Sequence, residues 1–353
     1  MTLVELVHDL FSSMAKNMKS IIIAGLFLAA TFGTMTFFGD KLTIIKTKIL
    51  GEAEAPPVRE PESEEVAARK ELASVLKGEL VFDSREGEGT FGIFAIDIAS
   101  GDRRQIFNDQ KNNMYPDVSP DGESIVFARA NDLGRDADSE IWLVNRDGSD
   151  QKKLAEGTYP TFSKDGSFVV YEVKRSKVMK LTLDGSQQQQ IFPPAGSPFQ
   201  GKKIVKPRLS FDNSKLLFTS DVGGRWTAWS VDLETQQATQ VGKGCEPVFF
   251  ENGNSVAWVT KKNVLAKSAI GKKELASGDV SLIQDEGPPF GHEYFPTLVK
   301  GDRFLLYAAC PAGQHSHLEA NYQLFVKDLE SGETVRVSFD GNTNRWPKYL
   351  ASK

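Results

Sequence analysis

The chain has 353 residues, a formal net charge of −5, apolar and charged fractions of 40% and 25%, and two cysteines. Such a chain can bury a large core, and its composition is that of a folded protein rather than a disordered or collagenous one. The acidic balance, with no basic run carrying interleaved aromatics, argues against nucleic acid as a partner.

Residues 1–19 place Leu3, Val7, Leu10, Met14 and Met18 at helical spacing, with Glu5, Asp9 and Lys16 elsewhere, which predicts an amphipathic helix. Residues 20–38 are 19 residues without a charge. As a helix they would run roughly 28 Å, close to the apolar thickness of a bilayer. No small-x-small cleavage site follows at once, so an uncleaved transmembrane anchor is favoured over a signal peptide. Lys16 and Lys19 precede this span and Lys41, Lys46 and Lys48 follow it, a balance that does not support an N-inside orientation. Residues 39–62 form an acidic, Pro-containing linker that buries little and acts as a spacer. Residues 63–77 read as a short helix, with Glu64 and Glu65 in its first turn, Lys77 in its last and Gly78 as its stop. Val66, Leu72, Val75 and Leu76 are expected to face the following domain.

From residue 78 onward the chain repeats itself. Tyr115-Pro116-Asp117-Val118-Ser119-Pro120-Asp121-Gly122 reads as a strand and tight turn, followed by the apolar strand Ile125-Val126-Phe127. Equivalent stretches surround Pro160, Pro207, Pro247, Pro296 and Pro347, at steps of 44, 47, 40, 49 and 51 residues. A period of that length, with several strands in each repeat, is the mark of a β-propeller. Each repeat has a second half, such as Glu140-Ile141-Trp142-Leu143-Val144 before Asp147-Gly148. That makes four antiparallel strands per blade, a to d from the channel outward. The first blade begins at Gly78 without its strand a, and Arg345 to Leu350 fits the vacancy. The expectation is an all-β, six-bladed propeller over 78–353, closed by its C-terminal strand. The five tryptophans are expected to pack on strands between blades.

The Tyr-Pro-x-x-Ser-x-Asp-Gly repeat, with a later aromatic-rich strand and an Asp-Gly turn, resembles the TolB-like propeller family. The resemblance covers roughly 78–353, and it is clean in the second and third blades and degraded in the fifth and sixth. It implies a periplasmic propeller working through protein–protein contacts. Together with residues 20–38 it leads to the expectation of a single-pass inner-membrane protein whose partners are envelope or inner-membrane proteins.

The b–c loops and d–a connections of such blades open on one face. His292 lies on the d–a connection into the last blade, and His315 and His317 on the b–c loop of that blade. Glu293, Glu319, Asn342 and Asn344 belong to the same face, which makes it the expected binding surface. Imidazoles and carboxylates so spaced can hold a divalent metal. Two readings of the histidines stay open: a metal or polar-ligand site, or loop architecture that shapes the channel mouth. The first leads to an alternative function, a metal-dependent enzyme or ligand sensor of lyase or hydrolase class. No catalytic residue is assigned, since the chain has no nucleophile elbow, P-loop or Rossmann fingerprint. The acidic loop from Asn131 to Glu140 lacks the order of a calcium loop and reads as solvated. Cys245 and Cys310 approach this face from different blades, and two free, partly buried thiols are favoured over a disulfide.

Overall fold

The computed structural model describes residues 58–353 apart from 134–137, 225, 262–267, 286–288, 312–313 and 315. The expected amphipathic helix (1–19), span (20–38) and most of the linker (39–62) lie outside the described residues. The expectation of a single-pass inner-membrane protein is corrected: among the described residues no helix is long and apolar enough to cross a membrane.

The described chain opens with helix α1, Ser63–Val75. Glu65 reaches back from its first turn to accept the amide of Glu62 at 2.8 Å and takes both arms of Arg59 at 2.6 Å. This satisfies one otherwise unpaired N–H and places negative charge at the positive end of the helix. The buried face differs from the expected one. Arg69 and Leu72 are buried, Val75 is 48% exposed, and Leu76 is buried just past the helix. Arg69 stacks over Phe339, so a guanidinium takes the place of an apolar contact.

Among the described residues all other regular structure is strand. Among the described residues, 24 strands run from β1 (Gly78–Arg85) to β24 (Thr343–Ala351) in antiparallel sets of four. Four sets are separate sheets: β24 beside β1, then β2 (Gly92–Asp97) and β3 (Arg103–Phe107); β4 (Asn112–Val118), β5 (Ser124–Ala130), β6 (Ser139–Asn145) and β7 (Lys152–Glu156); β8 (Thr158–Phe162), β9 (Phe168–Val173), β10 (Lys177–Thr182) and β11 (Gln188–Phe192); and β12 (Ile204–Leu209), β13 (Lys215–Ser220), β14 (Thr227–Asp232) and β15 (Ala238–Lys243). The other two are β16 (Cys245–Phe249), β17 (Ser255–Lys261), β18 (Ser268–Glu274) and β19 (Val280–Gln284), and β20 (Phe290–Val299), β21 (Phe304–Pro311), β22 (Gln323–Asp328) and β23 (Thr334–Arg336); they join through one parallel pairing, Ser268 with His292. β24 lies against β1, in register from Gly78↔Ala351 to Arg85↔Thr343, so the last strand supplies the inner neighbour that the first lacks. Trp226 departs from expectation: it lies just outside the strand Thr227–Asp232, at φ 48°.

The prolines of the repeat mark a recurring irregularity. In each innermost strand the pairing slips by one residue at the X-Pro step, so two residues face one on the neighbour. The facing residues are all aromatic: Phe82, Phe127, Tyr171, Phe218, Trp258 and Tyr307. The residue before each proline is Tyr115, Tyr159, Lys206, Glu246, Phe295 or Trp346, and all six adopt φ between 51° and 62°. Proline is tolerated at a bulge because no ladder donor is required there. In four of the six copies a bond to the N–H of the preceding residue holds its left-handed conformation. Tyr115 N donates to Asp83 at 2.9 Å, Lys206 N to Glu172 at 3.0 Å, Glu246 N to Thr219 at 3.1 Å and Phe295 N to Glu246 at 2.8 Å.

The turns that follow show why Ser-x-Asp-Gly recurs. The hydroxyls of Ser119, Ser163 and Ser210 donate to Asp121, Asp165 and Asp212 at 2.5–2.6 Å. The same carboxylates accept the amides of Glu123, Ser167 and Ser214. These bonds hold Asp165 and Asp212 down to about 2. Gly122 and Gly166 take φ near 70°, and Asn213 does the same in the third copy, as Asn can.

Candidate functional site

The six residues that precede the prolines converge on the axis and plug it. Tyr115 and Tyr159 stack with ring centres 3.9 Å apart, and Trp346 meets their edges at 5.5 and 5.6 Å. Phe295 lies 4.7 Å from Trp346. The Lys206 ammonium sits 5.0 Å over the Trp346 ring and pairs with the buried Glu246. Burial opposes the charge on Lys206, but Glu246, Cys245 and Tyr115 together outweigh it and hold its pKa above the ordinary value.

Directly after the prolines comes a second ring: Asp117, Thr161, Arg208, Val248, Thr297 and Lys348. With the a–b turns it lines a depression of about 270 Å³, to which all six innermost strands contribute. A smaller cavity of about 20 Å³ lies between Tyr115, Tyr159, Lys206, Arg208, Trp346 and Lys348. Arg208, Lys348 and Thr161 line both, so they form the junction between funnel and plug.

The charges of the funnel are unevenly matched. Lys348, 4% exposed, pairs with Asp117 at 3.0 Å, and Asp117 also accepts the amide of Phe162 at 2.9 Å. Burial, together with the positive charge of Arg208, pushes Lys348 down to about 8 in spite of Asp117. Among the described residues Arg208 itself makes no ion pair; burial holds its pKa below the ordinary value. Lys164 lies 4.0 Å over the ring of Phe211, which stands 44% exposed at the rim. Across the funnel Asp302 accepts the amide of Glu251 at 2.7 Å, and burial raises its pKa.

The other face is differently built. His292 is 2% exposed on β20 (Phe290–Val299), with Nδ1 3.5 Å from the hydroxyl of Ser268. The ring of His317 packs against Tyr294, Phe295 and Tyr322, with centres 4.3–6.1 Å apart, and its carbonyl accepts from Arg345 at 2.7 Å. His315 lies outside the described residues. Among the described residues no group of three or more His, Cys, Asp or Glu side chains is arranged to hold a metal ion. Two residues expected on the binding surface are interior: Glu293 and Asn344 are both 0% exposed. Asn344 accepts the hydroxyl of Ser84 at 2.7 Å and donates to Asp340 at 2.7 Å, a tie between β24 and its neighbours. Asn342 is half-buried, its carbonyl accepting from Gln323 at 3.4 Å, and Glu319 is exposed. Part of the acidic loop, 134–137, is outside the described residues; Glu140 pairs with Lys153 at 2.7 Å and accepts from Trp142 at 2.9 Å. Cys245 and Cys310 are free thiols, and burial pushes both up to about 12.

No protein-family model matches the sequence, and no curated protein sequence matches it. Solved structures do. TolB from Acinetobacter baumannii superposes with a TM-score of 0.60 at 13% identity, covering 78% of this chain and 67% of that one. A putative TolB from Agrobacterium tumefaciens gives 0.54 at 13% identity, covering 71% and 95%. This chain has a TolB-like propeller fold. A chain from the nidogen/laminin complex is also similar, with a TM-score of 0.51 at 11% identity, covering 72% and 91%. At these identities the likeness is one of fold, and fold does not carry function with it.

The a–b turn funnel was not the face singled out from sequence. A signal for it was present: the residue after each repeat proline is charged in three of six copies, Asp117, Arg208 and Lys348. Those positions lie on the innermost strands, where a charge has little reason to be unless it lines a cavity.

Proposed function

We propose that this protein is a protein–protein interaction module, a propeller of six blades whose contact surface is the funnel ringed by the a–b turns. One observation carries the reading: a depression of about 270 Å³ lined from all six innermost strands, with the exposed ring of Phe211 at its rim. A concave site on a rigid ring, floored by a packed aromatic plug, is pre-organised and costs little ordering on binding. Its mixture of aromatic, cationic and anionic groups suits recognition of a polypeptide better than of an apolar small molecule.

The test is site-specific photo-cross-linking in the full chain, in its own cells, with the reactive side chain at Phe211 or at the exposed Glu319 of the opposite face. A discrete adduct from Phe211 and none from Glu319 is expected. Adducts from Glu319 alone would move the contact surface to the other face, and none from either would remove the interaction reading.

A further inference from the structure

The base of the funnel has more positive charge than its own side chains neutralise. Asp117 is divided between Lys348 and the amide of Phe162. Arg208 lines both cavities, yet among the described residues no hydrogen bond or ion pair to its guanidinium is seen. A guanidinium offers five donors in a planar fork, and that of the half-buried Arg208 lines the cavity with none of them engaged by a described residue. Lys348 lines the same two cavities as Arg208, so two cations share this base and each disfavours the other. An anion entering here would relieve both.

We propose that the funnel takes a carboxylate, seated on the guanidinium of Arg208 beside the ammonium of Lys348, and that this carboxylate is the anchor of the bound polypeptide. The proposal rests on the funnel being the contact surface. Three features select a carboxylate over a phosphate. The fork of Arg208 matches a planar carboxylate in two parallel bonds. The lining also holds Asp117, Glu251 and Asp302, so its three cations face three anions, and a dianion would meet more repulsion than a monoanion. The volume of about 270 Å³ accommodates one or two side chains or a chain terminus, rather than a folded surface.

The two sources of a peptide carboxylate are separable with small probes. N-acetylglycine presents the carboxylate of a chain terminus, and N-acetylglutamic α-amide that of an acidic side chain. Ligand-observed NMR on the full-length protein is expected to show saturable binding of one or both, with the tighter one naming the source. Arg208→Gln is expected to weaken that binding at least tenfold, the loss of a charge-assisted bidentate contact. Asp117→Asn, which frees Lys348, is expected to tighten it several-fold. This opposite sign separates a lost contact from a lost fold. Inorganic phosphate at equal concentration is expected not to displace the probe. No saturable binding, equal binding to Arg208→Gln, or displacement by phosphate would overturn the carboxylate anchor. Cross-linking from Phe211 without carboxylate binding would overturn the anchor and leave the contact surface standing. Carboxylate binding without cross-linking would keep the anion site and remove the interaction reading.

Discussion

One buried ion pair joins β24 to β1, and its removal is the sharpest test of how this seam is held. Arg345 on β24 meets Asp83 on β1 through two bonds, Nε to Oδ1 at 2.9 Å and Nη2 to Oδ2 at 3.1 Å, with exposures of 1% and 0%. Nη1 donates to the carbonyl of His317 at 2.7 Å, and the guanidinium lies 3.8 Å over the ring of Phe91. Asp83 also accepts the amide of Tyr115, so one carboxylate ties β1, β24 and the bulge of β4 (Asn112–Val118) together. Asp83→Ala leaves a buried cation unpaired, which costs about 3–5 kcal/mol, and strips the Tyr115 amide of its acceptor, about 1 kcal/mol or more besides. Asp83→Asn keeps that acceptor and is expected to cost about 3 kcal/mol. In a domain this large such losses correspond to a Tm drop of roughly 10 °C. Arg345→Met strands the carboxylate instead. Burial already pushes Asp83 above its ordinary pKa, so in this variant the folded state binds the proton more tightly than the unfolded chain, and part of the stability returns as pH falls. The double variant Asp83→Leu/Arg345→Met buries no unpaired charge and is expected to cost far less than the two singles together. Urea unfolding of the four proteins reads this cycle. Single losses under about 1 kcal/mol, or strict additivity, would refute closure by a coupled buried pair.

Three further outcomes are expected. Burial pushes Glu172 up to about 8, so between the ordinary carboxylate range and about pH 8 the folded state holds the extra proton and stability declines as pH rises; urea midpoints across that window should show this decline in the wild type and not in Glu172→Gln. Trp346→Ala empties the middle of the aromatic plug and should cost about 3–5 kcal/mol, while Phe211→Ala at the rim should change the urea midpoint little; a reversed order would mean that the plug is not packed core. Gly244 has φ +133°, and a Cβ there would come within 1.9 Å of the carbonyl oxygen of Val259, so Gly244→Ala should unfold at clearly lower denaturant than a control such as Gly278→Ala, where nothing lies within 4 Å.

The repeat was legible because it is local chemistry. A turn needs Ser, Asp and Gly in order whatever surrounds it, and an inner strand buried on both faces must be apolar, so Ser163-Lys164-Asp165-Gly166 and Val169-Val170-Tyr171 show their structure without any partner. The vacancy beside Gly78 and the spare stretch around Pro347 were legible for the same reason: a sheet edge and an unpaired strand are visible as a mismatch of count. Sequence position went no further than sorting loops to faces, which is why His292, His317, Glu293 and Asn344 read as a surface. Whether a side chain on such a loop points outward depends on neighbours far along the chain: Asn344 is held inside by Ser84, 260 residues away, and His317 by the packed rings of Tyr294 and Tyr322. The bulge at each X-Pro step was likewise decided by pairing, since it turns Tyr115, Lys206 and Trp346 onto the axis and the following Asp117, Arg208 and Lys348 toward the funnel. Local sequence determined the units of this protein and their turns. Closing them into a ring determined which charges meet, because convergence at the axis juxtaposes residues that no spacing along the chain relates.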